Sequence, residues 1–150
     1  MHARGSTTRP NGFTLVELVM VVVIVSVLAA LALPRFAQAS QRQQLEAAAD
    51  RVAADFALAQ TRARAASQSV TLYFDLDQNT YTFNAVGGDA TTVNLAESPY
   101  GIKISYAEFG TDSEAEFNAY GVPVDTGKVT LTNGTGTATI FLLESGEATR

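Results

Sequence analysis

Phe13–Leu33 reads FTLVELVMVVVIVSVLAALAL, twenty-one residues with a single charge at Glu17. At roughly 1.5 Å of rise per residue an α-helix of this length spans about 30 Å, the thickness of a bilayer's hydrocarbon core. Valine and isoleucine run together here as they would in a strand, but an open strand leaves its backbone unsatisfied in lipid and a helix does not. The stretch is therefore expected to be a transmembrane helix over 13–33. Arg4 and Arg9 precede it with no acid among the first twelve residues. That bias keeps the short leader on the cytoplasmic side and sends the bulk of the chain across.

A basic start, an apolar stretch and the small-residue triplet Ala37-Gln38-Ala39 also fit a cleaved secretory signal, leaving a secreted β-domain that starts near Ser40. Glu17 argues against that reading. A carboxylate near the start of an apolar helix costs on the order of 2 to 4 kcal/mol to insert, so its presence asks for a function.

Gly12-Phe13-Thr14-Leu15-Val16-Glu17-Leu18 resembles the cleavage and methylation motif of type IV prepilins and of the pseudopilins of type II secretion. The resemblance implies that residues 1–12 are a leader, that a membrane-embedded prepilin peptidase cuts between Gly12 and Phe13, and that the new amine on Phe13 is methylated. It implies that Glu17 docks the subunit by meeting the Phe13 amine of a neighbour in a filament. Each charge is costly alone in a low-dielectric surround, so the pair would set axial register more than add stability. Pairing of Glu17 with the amine of its own chain, four residues away, is the alternative for the free subunit. Pro34 resembles the helix-kinking proline of these proteins. It lacks an N–H and crowds the preceding turn, so it is expected to bend the helix or melt a turn.

Beyond the proline the pattern becomes amphipathic over 35–66. Leu45, Ala49, Val52, Phe56, Ala59, Ala63 and Ala66 recur at spacings of three and four, one stripe expected to pack on the following domain. Arg42 with Glu46 and Arg51 with Asp55 are i, i+4 pairs suited to an exposed face. The helix as a whole is thus expected over 13–66.

After Ser69 the period changes to two. Strands are expected at 70–76, 80–86, 92–95, 102–106, 115–119, 128–132 and 137–143, with turns at Asp77-Gln78-Asn79, Gly87-Gly88-Asp89 and Asn133-Gly134. The fold class is α+β: a long N-terminal helix packed on an antiparallel β-sheet domain, 67–150, with the overall plan of a type IV pilin. Phe117-Asn118-Ala119-Tyr120-Gly121-Val122-Pro123, two strands, and Ser145-Gly146-Glu147 resemble the tail of the H-class pseudopilins of type II secretion and related minor pilins.

Composition excludes several chemistries. There is no cysteine, and the lone histidine, His2, lies in the leader. Disulfides, thiolate nucleophiles and histidine-centred catalysis or metal binding in the mature chain are thereby ruled out. From Ser69 to Arg150 eleven acids stand against Lys103, Lys128 and Arg150, a balance that repels nucleic acid. Asp75-x-Asp77-x-Asn79 matches the start of a calcium loop, but Thr80 and Val86 stand where the turn glycine and bidentate glutamate belong. Glu108, Asp112, Glu114 and Glu116 read as a solvated acidic loop. No metal, cofactor or catalytic site is expected.

The function expected is structural: a minor pseudopilin, single-pass in a bacterial inner membrane, with its C-terminal domain in the periplasm. The partners implied are other pilin or pseudopilin subunits, prepilin peptidase, the inner-membrane assembly platform and the lipid bilayer. A minor or major type IV pilus subunit is the alternative filament.

Overall fold

The computed structural model describes residues 12–84 and 90–150. One helix, α1 (Leu15–Ala66), is followed by eight strands: β1 (Val70–Asp75), β2 (Thr80–Phe83), β3 (Thr91–Asn94), β4 (Lys103–Phe109), β5 (Glu114–Phe117), β6 (Gly127–Thr132), β7 (Thr137–Leu142) and β8 (Ala148–Thr149). The chain divides after Gln38 into two compact units, so the second part of α1 shares a unit with the β domain. The expected turn at Gly87-Gly88-Asp89 and the end of the second expected strand lie outside the described residues. The helical assignment continues through Pro34, so the alternative of a melted turn does not occur.

The strands form two four-stranded antiparallel sheets, ordered β3-β2-β1-β5 and β4-β6-β7-β8. Period-two patterning says which face of a strand is buried and not which strand lies beside it, and here the chain changes sheets between β4 and β5. Gly110, with φ +62°, helps turn it. Phe109 and Asp112 bridge across that turn, and β5 then pairs with β1, Leu72 opposite Ala115. In consequence the four acids expected as one loop are separated. Glu108 lies on β4 opposite Lys128, Glu114 and Glu116 lie on β5, and only Asp112 stays in the turn, its Oδ1 accepting from the Glu114 N–H at 3.1 Å.

The core gathers one face of α1 and the inner faces of both sheets. Leu45, Ala49, Val52, Phe56, Ala59 and Ala63 are buried as the stripe predicts, joined by Ala48. Ala66 is exposed, because α1 ends there and the chain turns away through Ser67, whose φ is +53°. Phe56 is the one aromatic side chain that the helix buries among the sheets. Its ring lies 5.8 Å from Phe109 (edge-on, 71°), 6.0 Å from Phe74 and 6.4 Å from Phe117, so strands of both sheets meet on it. Aromatic pairs at these spacings add to the area they bury.

Asp55 corrects the sequence reading. Arg42 and Glu46 do pair on the exposed face, at 2.9 Å. Asp55, expected there with Arg51, is instead 3% exposed. Its Oδ2 accepts from Arg51 Nε at 2.8 Å and from the Tyr81 hydroxyl on β2 at 2.6 Å. Burial, and then the hydrogen bond to Asp55, push the Tyr81 phenol well above its ordinary range. The hydrogen bond and charge of Asp55 in turn hold Arg51 above its already high value. An i, i+4 spacing predicts that Arg51 and Asp55 meet, but says nothing of a tyrosine arriving from a strand.

Further polar contacts tie loops to the helix. Gln60 Nε2 donates to the carbonyls of Gly121 at 2.9 Å and Ser145 at 3.0 Å, and Arg64 Nε donates to Tyr120 O at 3.1 Å. The two tail pieces quoted for the family resemblance, around Gly121 and Gly146, thus meet at the end of α1. Both glycines have positive φ, and a Cβ on Gly146 would overlap the Gln60 amide. In the β6–β7 hairpin, Asn133 Nδ2 donates to Gln41 O at 3.0 Å, which makes the Asn-Gly turn a helix contact as well as a turn.

Candidate functional site: the start of the apolar helix

Thr14 is the residue that starts α1. Its Oγ1 accepts from the Glu17 N–H at 3.2 Å and its carbonyl accepts from the Leu18 N–H at 3.1 Å, the arrangement of an N-cap. The helix therefore begins at Leu15, two residues after the expected start, and Gly12, Phe13 and Thr14 lie outside it as an exposed lead-in. Phe13 is 80% exposed. Glu17 falls in the first turn, where unpaired N–H groups and the helix dipole favour a negative charge. Gly12 and Phe13 thus precede the helix, and Glu17 lies in its first turn.

Gly12 has no internal reason to be glycine. A Cβ built there meets nothing within 4 Å. Among the described residues nothing demands glycine at this position. Glu17 was legible because it interrupts an apolar run. Thr14 was missed as a cap, although Thr-x-x-Glu before an apolar run is a helix-start signal.

From Leu15 onward α1 is long and apolar enough to cross a membrane, and the apolar window that satisfies this test is unburied. Leu15, Val16, Val19, Ile24 and Leu28 all stand exposed. In water such a surface is a strong liability; in lipid it is the matching one. The hydroxyl of Ser26 is satisfied within the helix, donating to Val22 O at 2.7 Å, as a polar group in that setting requires.

The other sequence candidates have structural work. Asp75 Oδ1 accepts from the Gln78 N–H at 2.9 Å within the β1–β2 turn. Asn79, at φ +55°, turns its Oδ1 to the Ile104 N–H at 2.9 Å and ties that turn to β4. Among the described residues no three His, Cys, Asp or Glu side chains gather as a metal site needs.

Comparison with known proteins singles out the same segment. Residues 8–33 match the family model described as the prokaryotic N-terminal methylation motif. No curated protein and no solved structure matches the chain. That motif, together with a long helix packed on antiparallel sheets, supports a type IV prepilin-like protein, similar to pilin and pseudopilin subunits.

Proposed function

We propose that the chain is a non-catalytic minor pseudopilin of a type II secretion filament, cut by prepilin peptidase between Gly12 and Phe13 and methylated on Phe13. The leader stays cytoplasmic, α1 anchors the subunit in the inner membrane, and the β domain lies in the periplasm. The observation that carries the filament reading is the placement of Glu17 in the first turn of an apolar, unburied helix, four residues after Phe13 in the sequence. A carboxylate there is expensive in lipid and useful only against a cation. The amine released at Phe13 of a neighbouring subunit is such a cation. The choice of a secretion filament over a pilus rests on the tail around Gly121 and Gly146 and on the acidic balance of the β domain, which suits no polyanionic ligand.

Glu17→Ala is expected to leave cleavage and membrane insertion intact while incorporation into the filament falls. Co-purification with the major subunit measures this, and undiminished incorporation would sink the docking role. Complementation of secretion against complementation of pilus formation in a deletion strain separates the two filaments.

A further inference from the structure

Four of the buried side chains on the face of α1 turned to the sheets, Ala48, Ala49, Ala59 and Ala63, offer only a methyl group, beside Leu45, Val52 and Phe56. Such a surface resists separation, since it is apolar and close-packed, but it resists rolling of the helix about its own axis poorly. Phe56 is the large knob in this face, held by rings 5.8 to 6.4 Å from its own. Such ring contacts favour tilted and edge-on arrangements but span a broad range of angles, here 50° to 71°, and so fix the rotation less tightly than a short hydrogen bond. Beside it lies Asp55, the only buried acid among the described residues, about 100° further round the helix surface.

Buried ion pairs are weak contributors to stability, because desolvation offsets most of their attraction, and an apolar pair of similar volume often serves as well or better. Their best-attested use is to select one arrangement among near-equals. The geometry here suits that use. A hydrogen bond of 2.6 Å from Tyr81 on β2 reaches the same carboxylate oxygen that Arg51 grips from one turn earlier on the helix. The bond to Arg51 is internal to α1 and fixes the carboxylate on the helix. The bond to Tyr81 crosses to the sheet. Rolling the helix would stretch the second while leaving the first intact, and would strand a buried charge against the phenol, which cannot ionise cheaply there. The cross-link is therefore directional where the alanines are not; the side-chain ties from Gln60 and Arg64 reach loop carbonyls near the end of α1, whereas this one reaches a strand from the buried face.

We propose that Asp55, braced by Arg51, and Tyr81 form a rotational lock that fixes which face of α1 is turned to the sheets, and so which face remains outward to meet neighbours. Ala54, Leu58 and Thr61 lie on that outward face, all exposed. Only the purpose of the lock rests on the filament reading; the lock itself is a property of the isolated subunit.

The absence of cysteine makes the test clean. Thr61→Cys on α1 and Thr92→Cys on β3, both at exposed positions, carry spin labels in the full-length, detergent-solubilised protein, and the distance distribution is read by double electron–electron resonance. The parent should give one narrow distance. In the Asp55→Leu/Tyr81→Phe background, whose charge and hydroxyl are removed together, melting should be unchanged or higher while the distance broadens or splits. Asp55→Asn, which keeps an acceptor for Tyr81, should restore the single distance. A single unshifted distance in the folded double variant would overturn the lock and leave the rotation to Phe56 and to the Gln60 and Arg64 bonds. A double variant that melts much lower would overturn it too, since the pair would then be holding the fold up and not merely choosing its setting.

Discussion

Tyr81 gives the buried network a pH signature. Its phenol titrates higher in the folded protein than in the unfolded chain, so the neutral hydroxyl contributes stability in full below the ordinary tyrosine value near 10 and loses it as pH rises beyond that. The second compact unit should accordingly soften from about pH 10 upward. Tyr81→Phe should flatten that slope, while lowering stability near neutrality by about 1 to 3 kcal/mol because Asp55 loses one of its two donors. Chemical denaturation at a series of alkaline pH values would show both effects. At the other end of the chain, Gly12→Ala should leave folding untouched, for no atom lies where its methyl would go. Any fall in processing of that variant, followed by the ratio of cut to uncut protein on a gel, would then be assigned to the peptidase's grip on the glycine.

Among the elements, α1 carries two different kinds of surface, and each was legible to a different degree. The apolar run and its single acid stand out in the sequence because nothing in an ordinary soluble helix resembles them. The stripe from Leu45 to Ala63 was readable from its spacing, and so was the change to period two after Ser69. Asp55 was not, because a charge on a helix next to an opposite charge one turn away looks like every solvated pair, and its burial depends on a tyrosine supplied by β2. Strand neighbours were hidden for a related reason: the switch of sheets at Gly110 leaves no mark on the alternation of β4 or β5. The short β8 escaped notice because two residues are too few to show a period. Removing the central knob should be the costliest change to the helix: Phe56→Ala is expected to lose about 3 to 5 kcal/mol in denaturant unfolding. By contrast Arg150→Ala, whose 3.5 Å pair with Asp50 is solvent-exposed on both sides, should change the ion-pair contribution by less than about 1 kcal/mol. Gly146→Ala should be far worse than its size suggests, because the new methyl collides with the Gln60 amide and the φ of +82° strains any side chain.

For the molecule as a whole, the sequence divides into a part made for lipid and a part made for water, and a reading averaged over both would miss each. With 47% apolar residues the chain resembles an ordinary globular protein, yet its longest apolar stretch is exposed. Mass measurement of the mature protein tests the proposed processing directly. The expected species lacks residues 1–12 and carries one extra methyl group on Phe13. A species beginning near Ser40 would show that the apolar helix had been discarded as a signal.

The bond from Asn133 to the carbonyl of Gln41 also bears on how the helix breathes. That carbonyl stands just inside the second compact unit and also faces the amide of Leu45 one turn on. Amides from Leu45 to Ala63 should therefore exchange hydrogen only when the whole β domain opens. Those ahead of Gln41 have no such hydrogen-bond partner among the described loop residues and should answer to the lipid or detergent around them. The asparagine in an ordinary hairpin turn would then mark the point along one helix where protection stops being set by the solvent and starts being set by the fold.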